Sequence, residues 1–202
     1  SSIHGIVIII FGKLVNQMKN KLTKLEFKWI CYDMGNSAFI LLVATILPIY
    51  FNYLSSSQGV AEYNYLSYWS YAASISTLIV ALAGPILGTL ADYKDHKKKI
   101  FLTTAMLGAL ALACFWIPSS WFAFLVLFIA AKVAYSLSLI VYDSMLTDIT
   151  TEDRMDAVSS KGYAWGYIGS VVPFIISLVF VLMYDKMGMT LKAAMMIAFV
   201  LN

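Results

Sequence analysis

The amino-acid sequence predicts an all-α, polytopic membrane protein, a bundle of six transmembrane helices. Three observations carry this. The chain is 61% hydrophobic and only 12% charged, with a mean hydropathy of +0.80, whereas soluble domains carry about 25% charged residues. Its apolar residues fall in six runs, most of them near the roughly 20 residues that cross a bilayer. Its lysines collect between alternate runs. So little charge cannot cover a water-facing exterior, and lipid is the expected solvent.

The runs lie at about 27–54, 69–91, 100–117, 121–142, 162–184 and 190–202. Turn residues or charges bound each one. Trp29, Tyr53, Tyr68, Trp69, Trp116, Trp121, Tyr142 and Tyr184 stand near the ends, where interfacial aromatic belts place them. The last run is too short to cross, and the expectation is that the chain stops inside its sixth helix.

Orientation follows from the basic residues. Lys13, Lys19, Lys21, Lys24 and Lys28 precede or open the first run. Lys94 and Lys97–Lys99 follow the second, and Arg154 and Lys161 follow the fourth. The opposite loops contain only Lys186. The positive-inside rule puts the amino terminus in the cytoplasm. Residues 1–26 thus read as a cytoplasmic lysine-rich leader and 27–202 as the membrane bundle. Residues 1–17 are too short an apolar stretch to span and lack a cleavage site. They read as an interfacial or non-native extension.

Small residues are patterned within the runs. Gly84, Gly88 and Asp92 recur every four residues, as do Gly162, Gly166 and Ser170, with Gly169 beside the latter. That spacing lines one helix face and admits a neighbouring backbone. Pro48, Pro85 and Pro173 interrupt runs one, two and five, where each frees a carbonyl and offers a bend or hinge. Cys31 and Cys114 lie in apolar runs and read as buried small hydrophobes rather than a disulfide.

The stretch GTLADYKDHKKK, Gly88 to Lys99, places dense charge directly against an apolar run. Gly88 permits close helix contact, and Asp92 can cap a helix amino terminus or pair with a lysine. Lys97, Lys98 and Lys99 anchor the segment in the cytoplasm and favour anionic headgroups. This stretch resembles the loop signature of the major facilitator superfamily, a Gly, three residues, an Asp, then a basic cluster. Asp95 and His96 stand where that signature has Gly and Arg. In the superfamily the loop acts as a latch between two halves.

Two further stretches narrow the resemblance. WICYDMGNSAF (Trp29–Phe39) followed by LPIYF (Leu47–Phe51) resembles the first helix of the vacuole-effluxer family within that superfamily. YDSMLTDI (Tyr142–Ile149), with Arg154, Val158, Ser159, Gly162, Gly166 and Gly169, is similar to its connection from helix four to helix five, although Asp143 and Thr147 replace the expected Asn and Pro. The resemblance covers roughly residues 27–170. It implies the amino-terminal half of a twelve-helix major facilitator fold, a gradient-driven solute exporter with amino acids as the best-known substrate class. The partners then expected are membrane lipid, a small-molecule solute and a carboxyl-terminal six-helix half.

Candidate transport residues come from charges inside the runs. Asp33 lies about two turns into the first run, with Asn36 and Ser37 at i+3 and i+4 on the same face. A charge within lipid faces a cavity or a partner, and desolvation suits a carboxyl there to exchanging a proton. Lys132 sits mid-run in FIAAKVAYSLS, with Tyr135 and Ser136 one turn later. Its axial offset from Asp33, roughly 7.5 Å at 1.5 Å per residue, is one a lysine stem partly bridges. The expectation is that Lys132 binds an anionic group of the solute or pairs with Asp33. The acids at 143, 148, 152, 153 and 156 read as a structural loop, with Thr150 and Asp153 as a helix-opening capping box.

No Cys/His metal spacing, phosphate-binding loop or nucleophile elbow is present. No cofactor, metal, catalytic residue or nucleic-acid partner is expected. Two rivals remain. Asp92, Asp95 and the acids from Asp148 to Asp156 suit a Mg²⁺-dependent intramembrane prenyltransferase-like enzyme, although three lysines directly follow His96. The other rival is a non-transporting membrane subunit or receptor.

Overall fold

A computed structural model describes residues 22–93 and 96–202. Among them the structure is all-helical, without strands. The lysine-rich leader up to Lys21, the 1–17 extension, Lys94 and Asp95 lie outside the described residues.

Helix α1 runs over Lys24–Ser57. It opens with a capping box: Thr23 Oγ1 accepts from the Glu26 N–H, and the Thr23 N–H donates to Glu26 Oε2 at 2.8 Å. A wide π turn over Leu42–Ile46 interrupts it, one turn before Pro48. A proline ring clashes with the carbonyl four residues back, here Ala44. The interruption expected from Pro48 therefore appears upstream of it, within that π turn.

Helix α2 spans Glu62–Ala91 and begins seven residues before the expected run. The turn between α1 and α2 uses Gly59 at φ 75°, a left-handed conformation suited to glycine. Helix α3 (His96–Ala113) starts ahead of its apolar run, so Lys97, Lys98 and Lys99 belong to its first turn rather than to a loop. Helix α4 is Trp121–Ser144, capped by the Ser120 hydroxyl. A four-residue α5 (Leu146–Ile149) and a 3₁₀ turn (Glu152–Arg154) lead into α6, Met155–Met183, again seven residues longer at its start than expected. Pro85 and Pro173 lie inside α2 and α6 without ending them. Helix α7 is Leu191–Leu201. Helices α1, α2, α4 and the span Glu152–Met183 are long and apolar enough to cross a membrane.

The principal packings are α1 on α6, α3 on α4, α2 on α4 and α6 on α7. The dry core lies toward one end. Tyr50 and Phe51 of α1 meet Phe124 and Phe128 of α4, Phe115 and Phe199, all buried. Toward the other end, where α1 begins and α4 finishes, the packing becomes polar and hollow.

Two local expectations are corrected. The capping box forms at Thr23 and Glu26, not at Thr150 and Asp153; the Thr150 hydroxyl instead donates to Glu26 Oε1 at 2.7 Å. The cysteines are free as expected, but Cys31 is exposed and Cys114 only partly covered.

Candidate functional site: a cavity between α1, α4 and α6

The site begins with a close approach of two helices. Glycines 162, 166 and 169 of α6 face the Trp29–Ser37 side of α1. A β-carbon on Gly162 would stand 2.7 Å from the Trp29 ring and 3.3 Å from Asp33 Oδ2. One on Gly166 would stand 2.8 Å from Ser37 Oγ and 3.2 Å from Asp33 Oδ2; one on Gly169 would run into Met34. The absence of side chains here lets α6 reach the Asp33 carboxylate. Gly84 likewise admits Ile140, but Gly88 faces open space among the described residues, so the close contact expected of it is not made.

Beside this contact lies a cavity of about 260 Å³. Helix α1 contributes Asp33, Asn36 and Ser37, as their shared face requires. Tyr135, Leu139 and Asp143, four residues apart on α4, form a second wall. Ser159, Tyr163, Tyr167 and Ser170 of α6 form the third. Asp143 is thus a cavity residue in the last turn of α4, not part of the structural loop to which the sequence assigned it.

Aromatic contacts fix the α1–α4 side. Trp29 and Tyr142 stack with ring centroids 4.4 Å apart and exchange two hydrogen bonds: Trp29 Nε1 donates to the Tyr142 carbonyl at 3.2 Å, and the Tyr142 hydroxyl donates to the Trp29 carbonyl at 3.1 Å. Tyr32 and Ser138 bond through their hydroxyls at 2.9 Å. A second cavity, of about 350 Å³, lies between α1, α3 and α4. Asn36 and Tyr135 border both cavities, and the Tyr135 hydroxyl is buried there. Ser138, not Ser136, bonds across to α1.

Lys132 goes elsewhere. Its ammonium donates to the Ala73 carbonyl of α2 at 3.4 Å, in a groove lined by Ser74 and Thr77. The pairing with Asp33 expected from axial offset is not formed, because the two side chains leave their helices toward different neighbours.

The charged segment after α2 also differs from expectation. Asp92 is exposed at the carboxyl end of α2, where its N–H donates to the Gly88 carbonyl. Lys97 bonds Asp148 of α5 at 2.7 Å and the Ser144 carbonyl at 3.3 Å, tying the start of α3 to the end of α4. Lys98 and Lys99 are exposed. Arg154 reaches Glu26 of α1 through two hydrogen bonds. Among the described residues, no three acidic, histidine or cysteine side chains gather closely enough to share a metal ion.

Known proteins place this arrangement in a family. The profile described as "Vacuole effluxer Atg22 like" matches residues 23–201. An uncharacterized MFS-type transporter of Bacillus subtilis (strain 168), YxiO, is 37% identical over 188 residues, 90% of this chain and 44% of the relative. The chain therefore spans less than half of that relative's length. No solved structure matches it. A membrane bundle with a carboxylate set against a glycine face and a match over nearly the whole chain make this polypeptide an integral membrane protein belonging to the vacuole effluxer Atg22-like family.

Proposed function

We propose that this chain is half of a secondary active transporter that exports a small solute across a membrane by alternating access. One observation carries the reading: Asp33, inside a membrane-spanning helix, lies on the wall of a polar cavity where α6 closes on it through Gly162 and Gly166. An ionisable group at that depth is costly and is kept where it meets a solute or a proton. Family membership and the MFS-type relative support transport, and the resemblance favours amino acids as the solute.

In this reading six helices form one wall of the pathway and a second six-helix half faces them. The amino terminus is cytoplasmic, in a prokaryotic plasma membrane or a vacuolar membrane. Asp33 carries the proton, with Asn36, Ser37 and Tyr135 shaping the site. Lys132 and Ser136, on the next part of α4, offer a separate polar station for an anionic group. Gly88, Asp92 and Lys97–Lys99 form the latch toward the other half, and Pro48, Pro85 and Pro173 the points of bending.

The test uses the full-length protein in proteoliposomes loaded with a radiolabelled amino-acid mixture. Release should follow an imposed proton gradient, stop with an ionophore and be lost in Asp33→Asn. Ionophore-insensitive release, or wild-type release in Asp33→Asn, overturns the reading. For Lys132, normal transport with unchanged affinity in Lys132→Ala removes its solute role.

A further inference from the structure

The charge and the ring faces around the α1–α4–α6 cavity specify more than a polar solute. Two carboxylates, Asp33 on α1 and Asp143 on α4, border it. Among the described residues, no lysine or arginine lines it. Two acids facing one space without a base form a field that repels anions and attracts a cation.

The remaining walls suit the same ligand. Trp29 and Tyr142 cover each other's faces in a stacked pair on one side, which leaves the opposite wall to receive a cation. Tyr163 and Tyr167, one turn apart on α6, have ring centroids 5.9 Å from each other. They stay 69% and 61% exposed among the described residues, so most of each ring is left open. Ring faces attract cations within about 6 Å of their centroids. Lys132, the basic residue within the α4 span, is turned into the α2 groove and does not neutralise the acids.

We infer that this cavity receives a protonated amine, with Asp33 and Asp143 supplying the opposing charge and Tyr163 and Tyr167 the ring faces. The inference rests on the transporter reading and names the chemistry its site selects. An amine of this kind belongs either to a simple organic cation or to the ammonium end of an amino acid. Asp143, at the cytoplasmic end of α4, meets the ligand at the mouth, and Asp33 holds it deeper.

Calorimetric titration of the detergent-purified full-length protein tests this without requiring transport. Three probes share an alkyl chain: butylamine, a cation; norvaline, a zwitterion; and pentanoate, an anion. The amine-bearing probes should bind and pentanoate should not. Butylamine alone sufficing identifies a simple cation site; a requirement for norvaline identifies the ammonium end of a zwitterion. Asp143→Asn should weaken amine binding about tenfold or more, as loss of a charge-assisted contact does, and Asp143→Lys should abolish it. Asp143→Glu should retain it, which separates charge from folding because Asp143 is exposed. Pentanoate binding as tightly as butylamine, no binding by either amine, or amine affinity unchanged in Asp143→Asn and Asp143→Lys overturns the inference. Gradient-driven release that persists in any of those cases leaves the transporter reading standing; loss of release in an amine-binding protein removes the transporter reading alone.

Discussion

Glu26 and Arg154, 128 positions apart, are joined by two hydrogen bonds, from Nε to Oε1 at 3.0 Å and from Nη2 to Oε2 at 2.8 Å. Glu26 is 1% exposed and also accepts from the Thr150 hydroxyl and the Thr23 N–H. One carboxylate thus caps α1 and fastens it to the turn that opens α6.

Removing one partner of a buried pair leaves an uncompensated charge, at a cost of about 3–5 kcal/mol. Arg154 is partly exposed, so water can solvate it alone but cannot reach Glu26 as readily. Arg154→Ala should therefore lower the thermal midpoint in detergent more than Glu26→Gln does. The double variant should recover part of the Arg154→Ala loss. Additive losses in the cycle would show that the pair is not coupled.

The glycines of α2 and α6 separate two effects of alanine. Within a helix, Gly→Ala is favourable by about 1 kcal/mol where space allows. Gly88→Ala meets open space and should be neutral or mildly stabilising. Gly162→Ala and Gly166→Ala drive a methyl into Trp29, Ser37 and Asp33 and should destabilise by about 1–3 kcal/mol. Thermal unfolding of the three variants checks the order, and equal midpoints would contradict the α1–α6 packing.

Trp29 and Tyr142 share a stack and two hydrogen bonds. Tyr142→Phe keeps the ring but deletes the bond to the Trp29 carbonyl, for an expected loss near 1 kcal/mol. Trp29→Ala loses stack, bond and burial together, and should cost about 3–5 kcal/mol. Denaturation midpoints measured in one detergent would read the difference; equal losses would mean that the rings contribute nothing beyond the bond.

The Lys97–Asp148 pair looks alike on paper but is solvent-exposed on the acid side. Exposed pairs contribute about 0–1 kcal/mol and weaken with salt. Asp148→Asn should leave the thermal midpoint within about 2 °C of wild type. A loss as large as that of Arg154→Ala would contradict the exposure seen here.

Much of the architecture was readable from the chain because its signals are local. Apolar run length, flanking lysines and aromatic ends need no partner to be recognised, and the four helices able to cross a membrane all correspond to expected runs. Helix starts were misjudged at α2 and α6 because polar residues such as Glu62, Asp156, Ser159 and Lys161 continue a helix beyond its greasy part. Asp33, Asn36 and Ser37 shared a face as their spacing required, and the glycine repeat of α6 turned toward them.

The sequence by itself determined which segments are helical and apolar, and that Asp33 and Lys132 are anomalies within them. Tertiary structure decided what those anomalies meet: Asp33 the α6 glycines and the Asp143 cavity, Lys132 the α2 backbone, and Glu26 the Arg154 guanidinium. The physical reason is that helices apolar on nearly every side carry no stripe to tell a lipid face from a protein face. The rotation of each helix, and so the neighbour of each charge, is fixed by glycine clefts and ring stacks between distant segments.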